Sequence, residues 1–467
     1  MTRAATEIGR GLAPARPARP IKPGERIHVL GAAGAGASAA VLLAHRAGAQ
    51  VSGCDPGGPS PYTAAITQAG IELQWQHDAG HVEQPGGERP DRLAVTKALT
   101  AVNPNHPELL AAHRLGIPTE PWQQVVADAA ATSNQRLVAV AGTHGKSTTS
   151  GWLVDLLVRA GRDPSAFVGA LLDASLTGGT PSTARWGSGD VFVVEADEYA
   201  GNFDAYQPSV IALLNAEWDH PDVFADADAV YDAFASWIRA AGSATLIANA
   251  ADAGVHHVIA RLTGWPGQVI ALDDAPLAQP VGLPGPANAA NARVVAGVAR
   301  LLGVADPDIA RSLAEFHGVG RRLELKGEAR GVTVLDDYGH HPTAIAKTIQ
   351  AVREKYPNRR LWAVYEPLTY HRTAAMLEQF ADVLATADEV AIADIWAGRD
   401  PDTTVTSAKV LADAVTQHGG PRATSPGSVE RTADYLATQV KPGDVVLVMG
   451  GGRSYVIAAR LVELLAK

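Results

Sequence analysis

The stretch Leu137-Val-Ala-Val-Ala-Gly-Thr-His-Gly-Lys-Ser-Thr-Thr149 constrains this chain more than any other. An apolar run with strand character ends in a loop bracketed by Gly142 and Gly145, and Lys146-Ser147 open a run that reads as helix. The backbone N–H groups of such a loop, with the positive end of the following helix, cradle a polyphosphate. Lys146 is then placed to reach the terminal phosphates, and the Ser147 hydroxyl to ligate Mg²⁺. Val140 stands where the full P-loop pattern carries glycine, so an ordinary glycine-rich turn is the competing reading.

A chain of 467 residues exceeds one ordinary core, and roughly two to four domains are expected. No apolar run approaches the roughly 20 residues of a membrane span, and a net charge of −10 argues against a nucleic-acid partner. The single cysteine, Cys54, is expected to exclude both an intrachain disulfide and a zinc cluster, and suits a reducing cytoplasm. Residues 1–25, rich in Arg, Ala and Pro and lacking an apolar core segment, are expected to form a disordered tail, with a transit peptide or acidic-partner arm as the alternatives.

From Arg26 a βαβ opening follows. The strand Ile27-His-Val-Leu30 runs into Gly31-Ala-Ala-Gly34-Ala-Gly36-Ala-Ser38, and a second strand ends at Asp55. That arrangement lets a backbone approach a pyrophosphate, with Asp55 where a dinucleotide fold places its ribose-binding acid; close strand–helix packing explains the glycines equally well. Beyond the phosphate loop, Val191-Phe-Val-Val194 reads as a buried parallel strand running into Glu195 and Asp197. The next strand empties into Asn215, Glu217, Asp219 and His220. Two neighbouring strands discharging acids beside a phosphate loop point to a metal–phosphate site. Asn288 and Asn291 share a helix face, either as polar residues facing solvent or to read a base edge. A third α/β pattern starts after Gly318-Val-Gly-Arg-Arg322 and carries Asp336-Asp-Tyr-Gly-His-His-Pro342. Of the adjacent His340 and His341, one is expected to bind a substrate and the other to pack.

Gly-Thr-His-Gly-Lys-Ser-Thr (142–148), Glu-Ala-Asp-Glu (195–198), Asn-x-Glu-x-Asp-His (215–220), Asn-x-x-Asn-Ala (288–292), Gly-x-Gly-Arg-Arg (318–322) and Asp-Asp-Tyr-x-His-His-Pro (336–342) occur in the order that resembles the Mur ligases. The likeness is strongest to the branch that joins L-alanine to UDP-N-acetylmuramate, with a relative that attaches a recycled peptide as the runner-up. The resemblance implies an α/β chain of three domains. These are a Rossmann-like UDP-sugar-binding domain (26–134), a central P-loop ATPase with a mostly parallel sheet (135–320), and a Rossmann-like amino-acid-binding domain (321–467). It implies ATP and Mg²⁺ as co-substrate and cofactor, and UDP-N-acetylmuramate and L-alanine as the other small-molecule partners. A cytoplasmic location in peptidoglycan precursor synthesis follows from it.

Carried over residue by residue, Gly142, Thr143, His144, Gly145, Lys146, Ser147 and Thr148 would hold the ATP phosphates. Asn288 and Asn291 would read the adenine, Asp337 the ribose, and one of Arg321 and Arg322 the phosphates. Ser147, Glu195 and His220 would be metal ligands, with Lys146, Glu195, His220, His340 and Arg372 the catalytic set. Gly31, Gly34, Gly36, Ser38 and Asp55 would meet the UDP-sugar, and Tyr338, His340 and Arg372 the amino acid. Departures from the family pattern cluster near that last group. Glu366 and Leu368 replace Gln and His, His371 replaces Ser, Gly-Gly-Gly-Arg-Ser (450–454) replaces Gly-Ala-Gly-Asp, and Lys97 and Ala287 are further changes. They leave open another small amino acid, a peptide acceptor, or a paralogue that binds UDP-sugar and nucleotide without ligating.

Overall fold

Apolar strands alternating with amphipathic helices build three α/β sheets in the computed structural model, which describes residues 8–84, 88–277, 281–398, 400 and 402–467. The first sheet holds β1 (Arg26–Leu30), β2 (Gln50–Cys54), β3 (Leu73–Gln74), β4 (Arg92–Val95) and β5 (Thr119–Pro121), parallel in the order 3-2-1-4-5. Strand order reverses at β1, the switch point where open α/β sheets receive ligands.

The second sheet holds β6 (Arg136–Ala141), β7 (Ser165–Leu172), β8 (Ser182–Arg185), β9 (Val191–Ala196), β10 (Val210–Leu213), β11 (Thr245–Asn249) and β12 (Gln268–Leu272). Their order is 12-11-10-6-9-7-8, with β8 antiparallel to β7 and the other pairings parallel. The third holds β13 (Glu324–Ala329), β14 (Val332–Asp337), β15 (Leu361–Glu366), β16 (Glu389–Ala393), β17 (Thr424–Gly427) and β18 (Val445–Gly450), in the order 13-14-18-15-16-17 with β13 antiparallel. One compact unit carries the first two sheets; a second carries the third sheet with His220–Asp222 and Leu283–Ala289.

Helices flank the sheets, so the central strands are buried on both sides and need continuous apolar runs rather than alternation. Val138, Ala139, Val140 and Ala141 of β6 and Val191–Val194 of β9 are fully buried. Burial of each such Val contributes about 1.5–3 kcal/mol. Position 140 is therefore a core strand position. Among the described residues, no helix is long and apolar enough to cross a membrane.

The disordered tail expected for residues 1–25 is corrected over its described part. Ile8 and Ile21 are buried. Arg16 pairs with Asp128 at 2.7 Å and Glu120 at 3.1 Å, and Arg19 with Glu25 at 2.6 Å. The buried Arg92 sits among the same three acids. Three guanidinium groups thus face three carboxylates that are at most 8% exposed. The tail arginines supply the charge that those buried acids require, and this orders a segment whose composition alone reads as disordered. Residues 1–7 lie outside the described residues.

Candidate active site

The loop after β6 is shaped by two glycines with positive φ, Gly142 at 141° and Gly145 at 84°. A Cβ on Gly142 would stand 3.0 Å from Leu214 Cβ, and one on Gly145 2.8 Å from Asn291 Oδ1, so space as well as backbone conformation requires glycine at both positions. The helix Lys146–Arg159 starts at Gly145 without a side-chain cap and without an acidic residue in its first turn. Its leading N–H groups and positive end therefore face the loop, the arrangement that receives an anion.

The strand end after β10 fixes the loop from behind. Asn215 accepts from His144 N at 2.8 Å and donates to His144 O at 3.0 Å. Thr143 Oγ1 accepts from Glu217 N at 2.9 Å, and His144 Nε2 meets Glu217 Oε2 at 2.9 Å. Asn215 thus positions the loop backbone, and Glu217 the Thr143 and His144 side chains.

Lys146 Nζ donates to Gly142 O at 2.7 Å and to Glu198 Oε2 at 2.9 Å, with Asp197 at 3.6 Å. Burial penalises its charge, but Glu198 and Asp197 more than offset this and raise its pKa. Lys146 stays cationic. Burial, helped by the Asp197 charge, pushes Glu198 up to about 7 against the pull of Lys146. Glu198 is the partner that the sequence reading left without a role; its place at the end of an acid-bearing buried strand was the available signal.

Ser147 Oγ donates to Glu195 Oε1 at 3.0 Å, while Glu195 Oε2 accepts from Gly169 N at 2.7 Å. A Cβ at position 169 would lie 2.7 Å from Glu195 Oε1, so Gly169 holds the carboxylate in place by its absent side chain, a role its sequence context did not signal. A hydroxyl and a carboxylate beside a cationic loop form a hard-oxygen donor set, which suits Mg²⁺. Lys97 reaches the segment after these acids, donating to Ala200 O and Gly201 O at 2.8 Å each. Both acceptor residues have positive φ, so the lysine pins a left-handed kink.

In the first sheet, Gly31 lies at the switch point, where a Cβ would meet Thr96 Oγ1 at 2.9 Å. Gly34 is the exposed start of the helix Ala35–Arg46. A Cβ on Gly36 would fall 2.2 Å from the Trp122 ring, so that glycine serves helix packing. Asp55 accepts from Ala33 N at 3.1 Å and Gly57 N at 2.8 Å, ordering the turn. Ser38, expected to touch the UDP-sugar, lies behind this turn. It is fully buried, bonding Ala35 O and Thr183 Oγ1 at 2.9 Å each.

In the second unit, Arg321 is drawn inward by Gly450 O and Ser454 Oγ at 2.8 Å each and by Asp336 at 3.3 Å. Arg322 lies half-buried over the Tyr338 ring, 4.8 Å from its centroid. Asp337 accepts from Leu323 N at 2.8 Å and Gly339 N at 2.7 Å, so its carboxylate organises the loop around it. His340 Nδ1 lies 3.0 Å from Tyr338 O, whereas His341 caps the helix Pro342–Lys355 by accepting from Thr343 N at 3.3 Å. Arg372 is buried, and its Nη2 lies 2.9 Å from Nδ1 of His220, which itself adopts a left-handed φ of 57°. Asn288 donates to Pro284 O at 2.7 Å.

Leu368, Tyr338 and His340 converge on one glycine. A Cβ on Gly451 would meet Leu368 Cδ2 at 2.9 Å and the Tyr338 Cζ and His340 Nδ1 atoms at 3.5 Å. Two substitutions in the family pattern, at 368 and 451, therefore fall in one place that no linear spacing would reveal.

Domain profiles described as the Mur ligase family catalytic domain and the Mur ligase glutamate ligase domain match residues 26–134 and 321–452. The UDP-N-acetylmuramate–L-alanine ligase of Kineococcus radiotolerans is 36% identical over 469 residues, covering 95% of this chain and 96% of that protein. The same-named protein of a Nocardioides species is 36% identical and covers 94% of this chain and 96% of its own length. Among solved structures, a UDP-N-acetylmuramate–alanine ligase from Thermotoga maritima aligns with a TM-score of 0.76 at 23% identity, over 94% of this chain and 98% of that one. A murein peptide ligase from Psychrobacter arcticus gives 0.73 at 24% identity, over 95% and 99%. The two structural likenesses carry the three-domain α/β fold, and the near-full-length sequence likeness carries the lineage: this chain belongs to the Mur ligase family.

Proposed function

We infer that the protein joins L-alanine to the lactoyl carboxylate of UDP-N-acetylmuramate at the expense of ATP, giving ADP and phosphate in peptidoglycan precursor synthesis. The observation that carries this reading is the phosphate loop with Lys146 and the Ser147–Glu195 pair, in a chain similar along nearly its whole length to ligases of that name. A carboxylate is a poor acyl donor because oxide would have to leave. Its oxygen attacks the γ-phosphorus of ATP, the bond to the bridging oxygen breaks and ADP departs. The amino-acid nitrogen then attacks the acyl carbon, the bond to phosphate breaks, and the nitrogen gives up a proton to solvent.

Lys146 would follow the charge moving onto the β–γ bridge, already held cationic by Glu198 and Asp197. Ser147 and Glu195, with His220 by family resemblance, would hold Mg²⁺, which when bound neutralises the anions that must meet. Gly142–Thr148 supply N–H donors, while Asn288 and Asn291 would read the adenine. Of the two adjacent arginines, Arg322 would meet phosphate, because Arg321 braces the third sheet. Asp337 would serve the ribose through the loop that it orders. Gly31, Gly34, Gly36 and Asp55 would shape the UDP-sugar loop. Tyr338, His340 and Arg372 would hold L-alanine, with Arg372 pairing to its carboxylate. Nucleotide co-substrates place the reaction in the cytoplasm.

A coupled ADP-release assay tests the reading. Turnover is expected only when UDP-N-acetylmuramate, L-alanine, ATP and Mg²⁺ are all present. Folded protein that releases no ADP under those conditions overturns it.

A further inference from the structure

Away from the phosphate loop, the first sheet buries a group of side chains that the ligase reaction does not use. His28 on β1, Cys54 at the end of β2 and Glu108 on the helix Pro107–Leu115 are at most 2% exposed. His81 on the helix Gly80–Glu83 joins them at 15% side-chain exposure. Glu108 is the centre. Its Oε2 lies 3.1 Å from His28 Nε2, and its Oε1 lies 3.1 Å from both His81 Nδ1 and Cys54 Sγ. One ligand atom from each of the four residues lies within 4.8 Å of all the others. Metal–ligand bonds of about 2.0–2.3 Å set tetrahedral ligand–ligand edges of roughly 3.3–3.8 Å. The 3.1 Å contacts to Glu108 and the 4.8 Å limit on the remaining separations bracket that edge.

Further side chains surround these four. His28 Nδ1 meets Ser52 Oγ at 2.8 Å, which leaves Nε2 to face the cluster. His77 Nδ1 stands 3.2 Å from Cys54 Sγ. Behind it His106, fully buried with no hydrogen-bond partner at either ring nitrogen, packs its ring 4.2 Å from that of His77. The surrounding side chains, among them Leu30, Val82, Leu93 and Val95, are apolar.

We propose that His28 Nε2, Cys54 Sγ, His81 Nδ1 and a Glu108 carboxylate oxygen form a tetrahedral site for a zinc-class divalent ion, which staples two helices to the first sheet. The charge balance favours it. A thiolate, a carboxylate and two neutral imidazoles cancel a double positive charge, so the filled site is neutral in its apolar surroundings. On binding, the Cys54 S–H bond gives way to a sulfur–metal bond and the proton passes to solvent. Thiolate and imidazole donors select zinc, or cobalt as its probe, over magnesium. The lone cysteine is no obstacle, because the other ligands are His and Glu drawn from separate elements with no motif spacing.

The test uses the full chain. Protein purified without chelator is expected to retain close to one zinc per chain by elemental analysis. After stripping, added Co²⁺ is expected to produce a thiolate-to-cobalt charge-transfer band that saturates at one equivalent and persists in excess Mg²⁺. Cys54→Ser should abolish the band, and Ser52→Ala should keep it while weakening metal affinity about tenfold or more. The wild-type readings stand even if Cys54→Ser fails to fold. Metal-free wild-type protein that shows no charge-transfer band with Co²⁺ overturns the proposal and leaves a hydrogen-bonded network.

Discussion

Glu366→Gln isolates the cost of one buried carboxylate. Glu366 ends β15, is 2% exposed, and its Oε2 has no hydrogen-bond partner. Burial pushes its pKa up to about 7, and the amides of Ser454 and Arg453 with the Arg321 charge only partly oppose this. The unfolded chain ionises near the ordinary value of 4.5. Between those two values the folded protein holds a proton that the unfolded chain has released, so stability falls as pH rises through the window. A gap of about 2.5 units at 1.36 kcal/mol each gives about 3 kcal/mol, fully lost above pH 7. Glutamine keeps the shape and stays neutral. The variant should therefore match wild type near pH 4.5–5 and exceed it by about 3 kcal/mol at pH 8. At ~2–4 °C per kcal/mol, that is roughly 6–12 °C in the transition of the unit carrying the third sheet. Scanning calorimetry of both proteins from pH 5 to 9 measures it. A difference in Tm that does not change with pH, or a variant less stable at pH 8, refutes the reasoning.

Lys146→Ala should abolish turnover yet leave UDP-sugar affinity within about twofold by calorimetry, since the two loops belong to different sheets. Gly169→Ala should lower kcat by about 100-fold in the ADP-release assay, because its methyl would occupy space held by Glu195 Oε1. Arg92→Met leaves Glu25, Glu120 and Asp128 short of one cation and should cost about 3–5 kcal/mol, read from the first urea transition of the full chain.

The α/β alternation was legible through periodicity, while the division into three domains came with the family resemblance. Doubly covered parallel strands must be continuously apolar, so β6, β9, β10 and β18 were plain in the sequence. Edge strands were not. β8 and β13 are antiparallel additions with short or mixed patterns, and β12 is largely exposed. The phosphate loop was legible because its glycines obey a local rule of backbone angle and space. Roles set by distant contacts were not. Nothing near Ser38 in the sequence signals that Thr183, far away, bonds its hydroxyl. Arg321 and Arg322 look alike in sequence and both lie over the Tyr338 ring, and only the folded third sheet turns the first inward onto Gly450 O and Ser454. The tail failed for the same reason. Its arginines acquire partners only when Glu120 and Asp128 are folded beneath them.

Reaction class and acceptor choice rest on different kinds of residue, so they can be tested apart. On the proposed assignment the loop, Lys146 and the Ser147–Glu195 pair would act on any carboxylate brought to ATP, and the choice among amino acids would fall to the ground around Gly451. There Leu368 is 8% exposed and held by a parallel bridge to Trp396, while Thr369 carries a left-handed φ of 66°. Leucine at 368 is thus fixed in the wall, beside Tyr338 and His340. A fixed apolar wall rewards a methyl group and gives a hydroxyl no partner. One methyl in an apolar pocket is worth about 1–3 kcal/mol. L-alanine should therefore exceed glycine by roughly 10–200-fold in kcat/KM. L-serine, which must bury an unpaired hydroxyl, should fall below L-alanine, and a tripeptide should not turn over. Leu368→Ala enlarges the wall and should narrow the preference for L-alanine over larger residues. Glycine and L-alanine used equally well, or a tripeptide preferred, would show that Leu368 does not set the acceptor and would move the choice to the peptide-ligase reading.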